Sequence, residues 1–428
     1  MLKRTGIIII ALVFIAFLNW APVAAEEPGV RIERTTVSGM TILLQRTESE
    51  MAEIALLLKS GSGLDPAGKR GTAEIMNSLV YLNLRYGGDA LGEIDVGTYP
   101  DYTLIRIRTT ARDLEDGLKA VKSLLSYPLY SYDVTTDLKS LYQTDLKAMP
   151  ALTKCYYDFN REFYGTDHPY DDGLDPAAIP AIGGRDVYQW YRRTYQPGNA
   201  VLSVAGGVRQ SIGDLEKFFA GMRTESVDRR LLVRPVNLDA SRRLDRTDPN
   251  GRVASVAIGF SAPRIQDPEF PAFRILAYYL EEYQHYFEAL RVKHALFYSG
   301  FVYYNYLQKP KAPTLAFLTF TDPDLLGAVE EKTVEVVRDL SERGIDSGEV
   351  AKVIQAIKSG IDARKQDGRG LAARNLLGFY LESQWVDDEK LLPRLEQVKP
   401  EEIRQVASKY LKNYIRVAYV PETLEQNF

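Results

Sequence analysis

Three histidines, His168, His285 and His294, and one cysteine, Cys155, are all the imidazole and thiol chemistry in a chain of 428 residues. His285 and His294 stand nine residues apart, without the H-x-x-x-H spacing that would place two imidazoles on one helical face around a metal. His168 precedes a proline in a loop-like stretch, and all three read as polar or hydrogen-bonded histidines. Cys155 sits in Lys154-Cys155-Tyr156-Tyr157, the setting of a small buried side chain rather than of a nucleophile, and alone it can close no intramolecular bridge. No glycine-rich phosphate loop, no G-x-S-x-G elbow and no Cys/His pairing pattern is present.

The elements around these residues come in two copies. Thr103–Leu114 is similar to Thr314–Leu325 at a constant offset of 211, each copy reading as an alternating strand, a short polar turn and the start of a helix. Leu114, Leu118, Val121 and Leu125 in the first helix, and Val329, Thr333, Val336 and Leu340 in the second, repeat as i, i+4, i+7 and i+11, one apolar face. Asp186–Tyr195 and Glu401–Tyr410 are both amphipathic, end in tyrosine, and lead through a turn into apolar strands at Val201–Ala205 and Ile415–Val420. This predicts an α+β fold of two homologous sandwich domains, an antiparallel sheet packed by helices in each, at residues 26–223 and 251–428. Residues 224–250 read as the linker, because Arg229-Arg230, Pro235, Arg242-Arg243 and Asp248-Pro249 interrupt any apolar period.

Residues 1–25 form a separate unit: Lys3 and Arg4, an apolar run Gly6–Leu18, then Val23-Ala24-Ala25. This is the pattern of an export signal cleaved after Ala25, its run of 13 residues falling short of the roughly 20 that span a bilayer. A periplasmic or extracellular protein is expected, with an N-terminal membrane anchor as the alternative. With a formal charge of -4, 45% hydrophobic and 26% charged residues, the chain has the composition of an ordinary globular protein. No basic cluster follows a nucleic-acid motif, so nucleic acid is not an expected partner.

Gly39–Leu44, Ala55–Ser62 and Gly68–Ala73, followed by GTDHPY at Gly165–Tyr170 and by Tyr191–Asn199, resemble the N-terminal domain of the insulinase and pitrilysin family of zinc peptidases. Gly259–Pro263, Pro268–Pro271 and Leu290–Ser299 are similar to that family's C-terminal domain, in the right order. The family's inverted motif, H-x-x-E-H, holds zinc through two histidines on one helical face, with the glutamate as base. The matching stretch here is Glu74-Ile75-Met76-Asn77-Ser78, so Glu74 and Ser78 stand at the ligand positions and Asn77 at the base position. Asp145 stands near the place of the third ligand. An amide has no useful basicity at neutral pH and a hydroxyl is a poor ligand beside imidazole, so the chain is expected to bind no metal and to cleave no peptide alone.

The resemblance also implies a role for Arg291 and Tyr298, which stand seven residues apart where the family has an Arg/Tyr pair that contacts substrate at the zinc site. Seven residues is nearly two helical turns, so the two could face one cleft if the segment is helical. Ala295 and Phe297 depart from the family's usual Gly and Ala. In the small-subunit branch of the family, one subunit carries the zinc and a sister of similar size supplies the Arg and Tyr. The resemblance therefore implies a zinc-free subunit of an exported heterodimeric peptidase, with zinc in a sister subunit and a peptide or unfolded polypeptide as substrate. A peptide-binding or chaperone-like module, and a structural subunit of an envelope complex, are the alternatives.

Overall fold

The computed structural model describes residues 32–422 apart from 87–90, 127–137, 141, 143–148, 167, 172–177, 226–235, 237, 282–284, 307–312, 368 and 382–387. The expected export signal and Asp145 lie outside the described residues.

In the N-terminal half the chain runs β1 (Glu33–Val37), β2 (Met40–Arg46), β3 (Met51–Leu58), α1 (Thr72–Tyr86), β4 (Glu93–Thr98), β5 (Thr103–Thr110), α2 (Leu114–Leu124), α3 (Ala151–Tyr164), α4 (Gly184–Thr194), β6 (Ala200–Gly206) and α5 (Ile212–Phe219). The C-terminal half follows as β7 (Arg242–Asp248), β8 (Ala254–Ser261), α6 (Phe270–Glu281), β9 (Ser299–Tyr304), β10 (Thr314–Thr321), α7 (Leu326–Arg343), α8 (Ser347–Asp367), α9 (Leu371–Tyr380), α10 (Asp388–Glu396), α11 (Pro400–Tyr410) and β11 (Tyr414–Pro421).

The strand orders are β1-β2-β6-β3-β5-β4 and β7-β11-β8-β10-β9. Leaving out β1, the two orders are one order. The parallel pair β2 and β6 corresponds to β7 and β11, and the remaining pairings are antiparallel in both sheets. The repeated segments found in the sequence, β5 and β10, occupy equivalent places, each between a central strand (β3 or β8) and an edge strand (β4 or β9). The α+β duplication is thus present in the fold, and the helix faces marked by Leu114, Leu118 and Val121, and by Val329, Thr333 and Leu340, are buried as their spacing predicts.

Each sheet is covered on both faces, which is why β3, β6 and β8 are almost continuously apolar. In the first sheet Ile42, Leu44, Ile54, Leu56, Ile105 and Val204 join the core beneath its own helices. Leu43, Ala55, Leu57, Leu104 and Val201, the alternate residues, belong to the core that contains Ala372, Leu376 and Leu377 of α9, a helix of the other half. The second sheet reverses the arrangement. Val256, Ile258, Phe260 and Phe317 pack with its own helices, whereas Ala257, Ala316, Leu318, Ile415 and Val417 pack with Leu152, Cys155, Phe159 and Phe163 of α3. The two halves therefore exchange a helix.

One boundary needs correction. Arg242–Asp248, expected in the linker, is strand β7, paired in parallel with β11 from Arg242 opposite Ile415 to Asp248 opposite Pro421. It is a mostly exposed edge strand rich in arginine and aspartate, charges that discourage further pairing and that also erase the apolar alternation by which a strand is read. Among the described residues no helix is long and apolar enough to cross a membrane.

Candidate functional site

The residues of interest in the N-terminal half lie on α1, and the loop before that helix is held from several sides. The Asp65 carboxylate accepts from the backbone N–H of Gly71 at 2.7 Å and of Ala73 at 2.9 Å, satisfying amides at the start of the helix. Burial nevertheless pushes the Asp65 carboxyl up to about 7, against the pull of those two amides. Lys69 pairs with Asp186 at 2.5 Å and Arg70 with the buried Asp171 at 2.7 Å, tying the loop to α4 and to the segment that follows α3. Gly71 has φ of 104°, a left-handed conformation suited to glycine, just before the first turn.

Asn77 is only 2% exposed and points inward. Its Nδ2 donates to Thr98 Oγ1 at 2.7 Å and Thr103 Oγ1 at 3.0 Å, and its Oδ1 accepts from the Tyr195 hydroxyl at 2.6 Å. Because Thr98 accepts from Asn77, its own hydroxyl proton is left for the Glu74 carboxylate, to which Thr98 is hydrogen-bonded. A polar chain thus runs from buried Tyr195 through Asn77 and Thr98 to Glu74. Glu74 and Ser78, one turn apart, form the partly exposed strip of the first two turns of α1, and Ser78 Oγ shares a hydrogen bond with Tyr142 Oη. Burial raises the Glu74 carboxyl above its ordinary range, offset only by Thr98.

This donor set does not fit zinc. The strip presents one carboxylate and one hydroxyl where a zinc helix presents two imidazoles. The amide between them is turned away, with both its donors and its acceptor already engaged. His168 does not serve either: buried against Tyr164, with ring centroids 5.0 Å apart, it accepts the Tyr170 backbone N–H at Nδ1. His285 stacks on Tyr279 at 4.3 Å, and its burial lowers the ring's proton affinity. Cys155 Sγ donates to the Ser255 carbonyl at 3.1 Å, and burial pushes its thiol far up, away from thiolate chemistry.

Arg291 and Tyr298 do not share a straight helix, contrary to the simplest reading of their spacing. Arg291 lies in a π-helical turn, Glu288–Val292, with its guanidinium 4.8 Å from the Phe287 ring centroid. The chain then leaves the helix through Ala295, whose φ of 52° is left-handed although the residue is not glycine. Tyr298 stands immediately before β9, 55% exposed, and donates its hydroxyl to Asp322 at 2.9 Å. Both side chains are exposed.

Four residues around α1 had no assigned role in the sequence: Asp65, Thr98, Tyr142 and Tyr195. Tyr195 lies inside the Tyr191–Asn199 stretch that carried the resemblance, so its position was marked but its hydrogen bond to Asn77 was not.

Residues 182–357, from the start of α4 into α8, match the family model described as the peptidase M16 inactive domain. Over these residues the chain is similar to a peptidase M16 inactive domain. This M16 match bears out the resemblance to the insulinase-type peptidases and includes Arg291 and Tyr298, while Glu74, Asn77 and Ser78 lie before it. Among solved structures, a protease from Helicobacter pylori is 19% identical and superposes with a TM-score of 0.82 over 92% of this chain and 100% of that one. A peptidase M16 inactive domain from Pseudomonas fluorescens is 16% identical, with a TM-score of 0.77 over 92% of this chain and 98% of that one. The periplasmic protease PqqL from Escherichia coli is 15% identical, with a TM-score of 0.72 over 94% of this chain but 48% of PqqL. At these identities the likenesses establish the M16 half-clamshell fold. No match is found among curated proteins.

Proposed function

We propose that this M16-type chain is the zinc-free subunit of an exported heterodimeric peptidase, holding an extended polypeptide and presenting Arg291 and Tyr298 to a zinc site carried by a sister subunit of similar size. The observation that carries the reading is the state of α1: the position of the base is occupied by an amide locked into the interior, so hydrolysis needs chemistry from elsewhere. Two facts support a partner. The chain corresponds to 48% of PqqL, a single protein long enough for two such units. Arg291 and Tyr298 are both exposed, as groups acting on another subunit must be. An exposed guanidinium and phenol can hydrogen-bond a peptide carbonyl and the oxyanion that forms from it.

The reading is tested by co-expressing the chain with a zinc-bearing M16 subunit from the same genome and assaying peptide cleavage. Arg291→Ala or Tyr298→Phe should lower turnover by roughly 10²- to 10³-fold, the usual effect of removing one oxyanion donor, while assembly and zinc content persist. Full activity in the double variant would remove the in-trans role. The second reading, a non-proteolytic peptide-binding module, draws on the hydrogen bond from Tyr298 to Asp322, which occupies the phenol within the chain.

A further inference from the structure

Glu74 is the one ionisable side chain in the first two turns of α1, and among the described residues no cation pairs with it; Arg85, on the same face, lies about three turns further along. Lys69 is committed to Asp186, Arg70 to Asp171, and Arg193 donates to the Leu64 carbonyl at 3.0 Å. Among the described residues the one hydrogen bond to the Glu74 carboxylate is from the Thr98 hydroxyl, held in that orientation by Asn77, which leaves acceptor capacity on the carboxylate unused. A carboxylate drawn from water without a partner is costly, and the strip is still partly open to solvent, so a ligand can reach it. One turn further along the same strip, Ser78 and Tyr142 add two hydroxyl oxygens. A carboxylate flanked by hydroxyl oxygens is matched by an ammonium or guanidinium, which is all donors, and repels an anion.

We propose that Glu74, with Ser78 and Tyr142, forms a binding site for the side-chain cation of a lysine or arginine in an extended polypeptide. This deepens the peptide-holding role proposed above and rests on it. The place where a zinc helix would polarise a peptide bond becomes a place that selects which segment of chain is held. Thr98 and Asn77 act as positioning residues, since they touch Glu74 directly or through one hydroxyl and fix its orientation.

The test is fluorescence anisotropy of the mature chain with a labelled, unstructured peptide containing one lysine, and with the same peptide acetylated at that lysine. The wild type should bind the lysine peptide at least 10-fold more tightly than the acetylated one. In Glu74→Gln the two peptides should bind alike, at the weaker affinity, with Ser78→Ala between. Acetylation on the wild type alone decides the matter if Glu74→Gln fails to fold. Spermidine serves as the free-amine probe: displacement of the peptide by spermidine, with no effect of acetylation, would overturn the polypeptide assignment. Equal binding of both peptides to wild type overturns the Glu74 site while leaving the peptide-holding role intact. Absence of binding to any peptide overturns that role itself.

Discussion

The two helices exchanged between the halves dock in different ways. α3 sits on the second sheet through aromatic and apolar contact: Phe159 and Phe163 pack over Ala257, Leu318 and Val417, and Tyr156 meets Tyr303 edge-on at 5.8 Å. The fit is close enough that a β-carbon at Gly259 would come within 2.2 Å of the Phe159 ring, so β8 carries glycine there. α9 sits on the first sheet with apolar residues too, but its start is fixed by a charge. Glu53, on the middle of β3 and only 5% exposed, accepts the Ala372 backbone N–H at 2.9 Å. Around it Arg106 pairs with Asp95 at 2.7 Å, and Arg369 reaches Glu93 at 3.1 Å across the two halves. One dock is held by shape, the other is also held by direction, because the positive end of the α9 dipole meets a carboxylate. Duplication preserved the backbone arrangement and left the chemistry of each contact free to diverge.

The largest effect should follow from emptying the aromatic dock. Phe159→Ala should cost about 3–5 kcal/mol in urea unfolding, since it removes a fully buried ring and leaves a cavity between the halves. A cost below about 1 kcal/mol would mean that α3 is not a structural part of the second domain.

The polar dock should respond less, and to pH. Glu53→Ala strands the Ala372 N–H and should cost about 2 kcal/mol. Burial raises the Glu53 carboxyl above its ordinary value of 4.5 in spite of the Ala372 and Gly370 amides and Arg106. The folded state thus holds this proton more tightly than the unfolded one, so the contribution is fully present below pH 4.5 and is lost as pH rises through the folded-state value. Glu53→Gln should flatten that part of the decline in urea midpoint between pH 4 and 8, and an unchanged profile would show that the carboxylate is already satisfied.

The smallest effect is expected at the rim. Arg369→Ala breaks a pair whose side chains are 46% and 64% exposed, and the change in stability should stay under about 1 kcal/mol and vanish in high salt. A larger loss would make the Arg369–Glu93 contact a hinge point between the halves rather than surface decoration.

Much of this was legible in the chain. The offset between Thr103–Leu114 and Thr314–Leu325 is a local signal, because strand alternation and helix spacing are written in neighbouring residues, and both copies fold as written. The amide at position 77 was equally plain, and chemistry alone removed it as a base. β7 was hidden because an exposed edge strand needs no apolar face, and the break between Arg291 and Tyr298 was hidden because a π-turn and the left-handed Ala295 leave no mark on residue spacing.

By itself, then, the sequence determined the duplicated α+β plan, the lack of an H-x-x-E-H motif and the absence of intramolecular cysteine bridges, since each follows from residue identity and short-range periodicity. Only the tertiary structure decided that α3 and α9 change places between halves, that Tyr195 locks Asn77, and that Glu74 is left half-buried with no cation paired to it among the described residues. The first two of those facts join residues more than a hundred positions apart, and which buried donor meets which acceptor is settled by the packing of whole sheets and helices, not by any stretch of chain that can be read alone.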